Sequence, residues 1–206
     1  MYLNIYVMVI DCIEPGYYYH IYNRGINKER IFIDEKHYLQ FLMLCKNYLP
    51  EHIDVLAYCL LPNHFHFLVH FKDDPDRVSR ASSPCQGVLS LSHMFNAYAQ
   101  WFNRKTGRTG GLFQRPFRRK RINDEIYLMQ LIYYIHRNPI HHHLVNNLMD
   151  WKFSSYSTLI GDQPTLLKRD RVLSWFEDRD NFIEFHASIS EIADDGMLEW
   201  EHPVRV

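Results

Sequence analysis

The chain has 206 residues, 47% of them hydrophobic, 15% aromatic and 23% charged, with a formal net charge of −1. This composition supports one sizeable core, is marginal for two, and excludes a disordered chain. The near-zero net charge hides a split: residues 161–206 hold 5 Lys/Arg and 11 Asp/Glu, leaving 18 and 13 in residues 1–160, so a mildly basic body of net +5 precedes a tail of net −6.

Residues 1–10, "MYLNIYVMVI", are apolar but lack a basic leader and run into Asp11 and Glu14. They are too short to span a membrane and do not read as a signal peptide; a short strand or an upstream extension is expected. "YYYHIYNRG" (17–25) reads as a strand ending in a turn. Asp34 then reads as an N-cap, and Tyr38, Phe41, Leu42, Cys45 and Leu49 give a helix that Pro50 stops. "IDVLAYCLL" (53–61) and "HFHFLVHF" (64–71) read as two strands of a hairpin turned at Pro62-Asn63. A polar loop (73–87) follows, then a helix carrying Val88, Leu91, Phe95, Tyr98, Ala99 and Phe102. "LFQRPFRRKRI" (112–122) is a strand or an extended arm, and Asp124 caps a third helix that Pro139 ends near Asn138. Residues 151–160 read as a packing segment, and the acidic tail as one helix around 170–190. The order of elements predicts an α+β fold: a ferredoxin-like antiparallel sheet with packed helices and a C-terminal helical extension. Residues 1–160 form one domain in this reading and 161–206 an acidic extension. The four cysteines show no CxxC pair, so reduced thiols and a cytoplasmic setting are expected, with no membrane partner.

Strand alternation points Phe65, Phe67, Val69 and Phe71 one way and His64, His66, Leu68 and His70 the other. His64 and His66 then lie roughly 6–7 Å apart, within reach of one metal ion. A single core histidine bonded to backbone would look the same. In "DEIYLMQLIYYIHRNP" (124–139), Leu128, Leu131, Ile132 and Ile135 form the core stripe. Tyr134 and Asn138 sit about 40° apart, one turn from each other, at the edge of that stripe, and Tyr133 lies about 140° from Asn138. A boundary aromatic and a helix-ending amide remain the alternative. Together, two imidazoles, an amide oxygen and a tyrosine are the parts of a metal-assisted tyrosine nucleophile, with Mg²⁺ or Mn²⁺ suited to the ligands. Arg104, Arg108, Arg115, Arg118, Arg119, Lys120 and Arg121, interleaved with Phe113 and Phe117, suit phosphates and unpaired bases, and Arg24 adds a cation at the first turn. A solvated charged edge strand is the competing account.

"LPNHFHFLV", "YHIYNRG", "FNRKTGRTGGLFQRPFRRK" and "LIYYIHRNP" resemble, in order and spacing, the single-tyrosine HUH transposases, and most of all their REP-associated branch. The resemblance covers about residues 17–160. It implies an HUH nuclease fold and nicking and strand transfer of single-stranded or hairpin DNA. Tyr134 would form a 5′-phosphotyrosine, and His64, His66 and Asn138 would hold the metal. Relatives act as monomers or as dimers with the tyrosine supplied in trans, so a homodimer is one expected state. Two other readings stand beside it: a hairpin-binding protein without chemistry, and a structural zinc site built from Cys59, His64, His66 and His70. "HHH" (141–143) is expected in a surface loop, with no metal.

Overall fold

The computed structural model describes residues 12–73 and 85–188. The strand expected at residues 1–10 and most of the polar loop lie outside them. Four strands, β1 (Tyr18–Arg24), β2 (Ile53–Leu61), β3 (His64–Phe71) and β4 (Arg118–Ile122), form one sheet in the order β2-β3-β1-β4, every neighbouring pair antiparallel. This is the ferredoxin-like order expected from the sequence.

The sheet has two apolar faces because its strands alternate. Tyr19, Ile21, Phe65, Phe67 and Phe71 pack under α1 (Glu35–Tyr48) and α2 (Gln86–Thr106). Leu61, Leu68 and Ile122 pack under α3 (Glu125–His141). Asp34 caps α1 as expected, accepting from the Lys36 and His37 amides. Gly107, at φ 68, ends α2 in the left-handed conformation that glycine tolerates best. Gly25 closes the turn after β1, where a Cβ would meet the Glu29 carbonyl oxygen at 2.2 Å.

The reading of residues 112–122 as strand or arm holds in parts, and the expected stop of α3 does not. Of residues 112–122 only Arg118–Ile122 pair along β1; 112–117 form an arm tied at single points, such as Gln114 N–H to Arg24 O at 2.9 Å. Helix α3 does not stop at Asn138. Pro139 lies inside it, and the His142 amide still bonds back to the Asn138 carbonyl. A proline deletes one donor and crowds one carbonyl, and so close to the helix end few bonds remain to be lost. Consequently His141 is helical and His142 is the cap, while only His143, exposed at φ 55, is outside the helix.

Residues 153–155 cover the outer edge of β2, with Ser155 N–H bonding to Tyr58 O and Tyr58 N–H to Ser155 Oγ. This removes an exposed strand edge. After a short helix α4 (Tyr156–Ile160), the acidic segment forms two helices, α5 (Arg169–Ser174) and α6 (Arg179–Ser188), separated at Glu177, whose φ is 71. Val172, Phe176 and Phe182 join the core under α3.

A buried chain of hydrogen bonds locks α6 to α3. The His186 Nδ1–H donates to Phe182 O at 2.8 Å, and this fixes every other proton. His136 Nδ1–H then donates to His186 Nε2 at 2.9 Å, and the Ser155 hydroxyl donates to His136 Nε2 at 2.8 Å. Burial holds the pKa of His136 well below its ordinary value and that of His186 at about 4. The unfolded chain takes up protons below about pH 6.5 that the folded rings refuse, so stability falls as pH falls. We expect the unfolding free energy from urea titrations to drop between pH 7.5 and pH 5, by about 1.4 kcal/mol per pH unit for each ring below 6.5. A flat profile over that range would show that the folded rings take up protons as readily as those of the unfolded chain.

Candidate active site

His64 and His66 lie on the α3 face of β3, 5% and 1% exposed, with ring centroids 5.2 Å apart. The register sets Arg24 beside His64 and Tyr22 beside His66, with Arg118 next to Tyr22. Each histidine is oriented through Nδ1. His64 Nδ1 lies 2.6 Å from Asn63 Oδ1, which can only accept, so the proton sits on Nδ1 and the lone pair on Nε2. His66 Nδ1 meets His20 Nε2 at 2.9 Å. His20 is completely buried, and desolvation, then the charges of His66 and Lys120, push its pKa well below the ordinary value. A neutral His20 can accept from His66 Nδ1–H, which leaves His66 Nε2 as a second lone-pair nitrogen.

Helix α3 supplies the other wall. The Tyr134 ring stands edge-on to His66 at 5.5 Å and to His20 at 6.3 Å. Two turns on, His142 stands edge-on to His64 at 4.8 Å. Asn138 falls between them on the same stripe, 1% exposed. Its Nδ2 donates to Tyr134 O at 2.9 Å, and its Oδ1 is buried with no hydrogen bond. Buried acceptors of this kind are rare and mark a position awaiting a ligand or water. Two imidazole nitrogens and an amide oxygen are donors of the type that a divalent ion accepting N and O ligands takes. The zinc alternative does not assemble: among the described residues no three His, Cys, Asp or Glu are placed to hold one ion. Cys59 lies beside His66 in register, but burial pushes its thiol pKa well up, and His70 faces Asp54 instead.

The other tyrosines of α3 go elsewhere. Tyr133 packs against His186 at 5.7 Å, and Tyr127 lies under Lys120 at 5.1 Å with its hydroxyl pKa raised by burial.

The cations do not form one patch. Alternation along β4 sends Arg118 and Lys120 to the histidine face and Arg119 to the α2 face, where Arg115 joins it along a cleft. Arg121 stacks on Tyr17 at 3.3 Å and bonds to Glu14 at 3.2 Å. Arg108 bonds to Glu29 at 3.0 Å and to Gly111 O at 2.6 Å, fastening the arm. Arg104 is exposed at the end of α2. Arg24 keeps a buried Nε with no hydrogen-bond acceptor beside His64. Sequence reasoning missed His20, Asn63, Tyr22 and His142. His20 and Tyr22 were legible as the alternate residues of "YHIYNR", which share a face; His142 was hidden by the helix running through Pro139.

Fold and site together define an antiparallel α+β protein with an HxH pair facing a helix-borne tyrosine. No protein-family model matches the chain. It is 30% identical over 114 residues, 54% of its length, to a protein of Haemophilus influenzae named as a REP-associated tyrosine transposase, and spans 62% of that relative. It shares the fold of a solved REP-associated tyrosine transposase bound to a REP hairpin, with a TM-score of 0.51, 18% identity, and coverage of 73% of this chain and 82% of that one. The chain therefore resembles the REP-associated tyrosine transposases in sequence and carries their fold. No helix among the described residues is long and apolar enough to cross a membrane.

Proposed function

We propose that this protein nicks and rejoins single-stranded DNA beside a hairpin through a covalent bond to Tyr134. The observation that carries the reading is the Tyr134 ring set against His66, with the unbonded Asn138 Oδ1 one turn further along α3. In this reading Tyr134 and the histidines that it faces belong to one chain. That the solved relative holds a REP hairpin supports a hairpin substrate.

Tyr134 Oη attacks phosphorus; the new P–Oη bond replaces the P–O3′ bond, and the departing 3′ oxygen takes a proton. Reversal by another 3′-OH rejoins the strand. A phenol is a poor nucleophile until it is positioned, and the edge-on packing of the Tyr134 ring against His66 and His20 serves that end. Arg24, Arg118 and Lys120, on the same face, hold the phosphates on either side. His64, His66 and Asn138 would hold Mg²⁺ or Mn²⁺, which as a Lewis acid supplies stabilisation of charge on a non-bridging phosphate oxygen. The test is a denaturing gel with labelled hairpin DNA bearing a single-stranded flank, plus Mn²⁺. A covalent adduct and a free 3′-OH fragment are expected. Cleavage without adduct would make this a hydrolytic nuclease, and binding without cleavage a hairpin-binding protein.

The division of the cations gives a second expected result. Arg118→Ala with Lys120→Ala should flatten the dependence of log K on log salt by about 1.4 for a single strand. Arg121→Ala, whose guanidinium is held by Glu14 and Tyr17, should leave it unchanged. Equal slopes for both variants would place the strand elsewhere.

A further inference from the structure

Helix α3 carries Tyr134 but is weakened just beyond it. Pro139 has no amide hydrogen to donate to the Ile135 carbonyl, and its ring crowds that carbonyl. The missing bond would have spanned the turn that holds Asn138. Support for this part of the helix comes from its other side. His136 lies about 200° round the helix from Tyr134, away from the histidine face. Its two ring nitrogens meet different parts of the fold: Nε2 meets Ser155 Oγ at 2.8 Å, and Nδ1 meets His186 Nε2 at 2.9 Å. All three side chains are buried.

The bonds run in one direction. The Tyr58 amide donates to Ser155 Oγ at 2.9 Å, the Ser155 hydroxyl to His136 Nε2, His136 Nδ1–H to His186 Nε2, and His186 Nδ1–H to Phe182 O at 2.8 Å. Tyr58 lies on β2, paired with Phe67, the residue next to His66 on β3. A circuit therefore closes on the site. It passes from Tyr134 along α3 to His136, through Ser155 to β2, and across to β3 and His66, whose ring meets Tyr134 at 5.5 Å. His186 decides whether the circuit is joined. Its proton is committed to Phe182 O, so its Nε2 offers a lone pair. Burial keeps His136 neutral, and only its Nδ1–H tautomer can face that lone pair. The same tautomer leaves His136 Nε2 as the acceptor that the Ser155 hydroxyl needs. An Nε2–H tautomer would set two lone pairs 2.9 Å apart at His186 and two hydrogens against each other at Ser155.

We propose that His136 is a positioning residue for Tyr134 and that helix α6 acts on the site through it: His186 fixes the tautomer by which His136 and Ser155 tie α3 to β2, at the spacing that sets the Tyr134 ring against His66. The inference rests on the reading of Tyr134 as the nucleophile. A buried polar network whose members all find partners selects one arrangement over its neighbours, so the chain sets the roll of α3 as well as holding it down. Helix α6 thereby serves the reaction from the far side of α3.

The test combines kinetics with ¹⁹F NMR of the full chain carrying 3-fluorotyrosine, without DNA. The Tyr134 resonance is the one missing from Tyr134→Phe. His186→Phe keeps an aromatic ring among Phe182, Tyr156 and Tyr133 but offers His136 no acceptor. His186→Gln offers an amide oxygen instead. Ser155→Ala breaks the chain on the sheet side, and either broken variant suffices should the other not fold. The Tyr134 resonance should move in His186→Phe and in Ser155→Ala and return in His186→Gln. With saturating hairpin DNA and Mn²⁺, the single-turnover rate of adduct formation per folded molecule should fall about 10–100-fold in the broken variants and recover in His186→Gln. Kd by fluorescence anisotropy should not change. A purely structural role would lower the urea midpoint but leave the rate per folded molecule and the Tyr134 resonance as in wild type, and that result overturns the proposal. Adduct formation at the wild-type rate in the broken variants leaves the cleavage reading standing and removes only the positioning role. A wild type that binds hairpins but forms no adduct removes the cleavage reading, and the Tyr134 resonance then decides by itself whether the chain positions the ring.

Discussion

Tyr134→Phe should abolish the covalent DNA adduct, a loss of about a thousandfold or more, while folding and hairpin binding persist. The substitution removes one oxygen from a ring that is 8% exposed and packed edge-on to His66. The Asn138 hydrogen bond goes to the Tyr134 carbonyl rather than the hydroxyl, so it survives, and the stability change should stay within about 1 kcal/mol. Tyr127→Phe should keep the adduct, since Tyr127 lies two turns back under Lys120. Tyr133→Phe should also keep it, since that ring packs on α6. The measurement is the denaturing gel with labelled hairpin DNA, accompanied by anisotropy for binding. An adduct that persists in Tyr134→Phe and vanishes in Tyr127→Phe would place the nucleophile two turns back along α3.

The second large effect concerns the imidazoles and the groups that orient them. His66→Ala should reduce Mn²⁺ binding to background, because one of the two proposed nitrogen ligands is gone. Asn63→Ala leaves both ligands in place but removes the acceptor 2.6 Å from His64 Nδ1, and should cost about 10–100-fold in Mn²⁺ affinity. The loss arises because His64 is then free to rotate and to carry its proton on Nε2, the nitrogen needed for the metal. Asn63 Nδ2 also donates to Lys28 O, so urea denaturation of the variant separates a loosened turn from a misoriented ligand. Electron paramagnetic resonance of Mn²⁺ titrations reads the affinity without DNA. Equal Mn²⁺ affinity in wild type, His66→Ala and Asn63→Ala would remove the metal from this site.

Much of the architecture was legible because local rules carried it. The hairpin of β2 and β3 followed from two apolar runs separated by Pro62-Asn63, and it came out with the predicted bounds. The Asp34 and Asp124 caps each bond to the backbone of the turn they open. The facing of Tyr134 away from Tyr133 followed from helical angle alone, and the packing agrees: one ring meets His66, the other His186. The pairing of His64 with His66 on one face followed from the two-residue period of a strand.

What the sequence by itself determined is whatever depends on neighbours in the chain: period, capping, turn chemistry, and the residue types available for a site. Tertiary structure alone decided which separate pieces meet. His20 reaches His66 only because β1 inserts between β3 and β4, and nothing local to "YHIYNR" says so. The basic run looked continuous in one dimension, yet pairing of β4 at the sheet edge divided it between two faces and left Arg108 and Arg121 bound to carboxylates from Glu29 and Glu14. His142 joined the site because packing carried α3 past Pro139, a penalty that chain-local rules place on the helix but that a few remaining end bonds scarcely feel. The physical reason is common to all three: hydrogen bonding and sterics between near neighbours are fixed by sequence spacing, whereas contacts across 40 or more residues depend on which faces the whole core must bury.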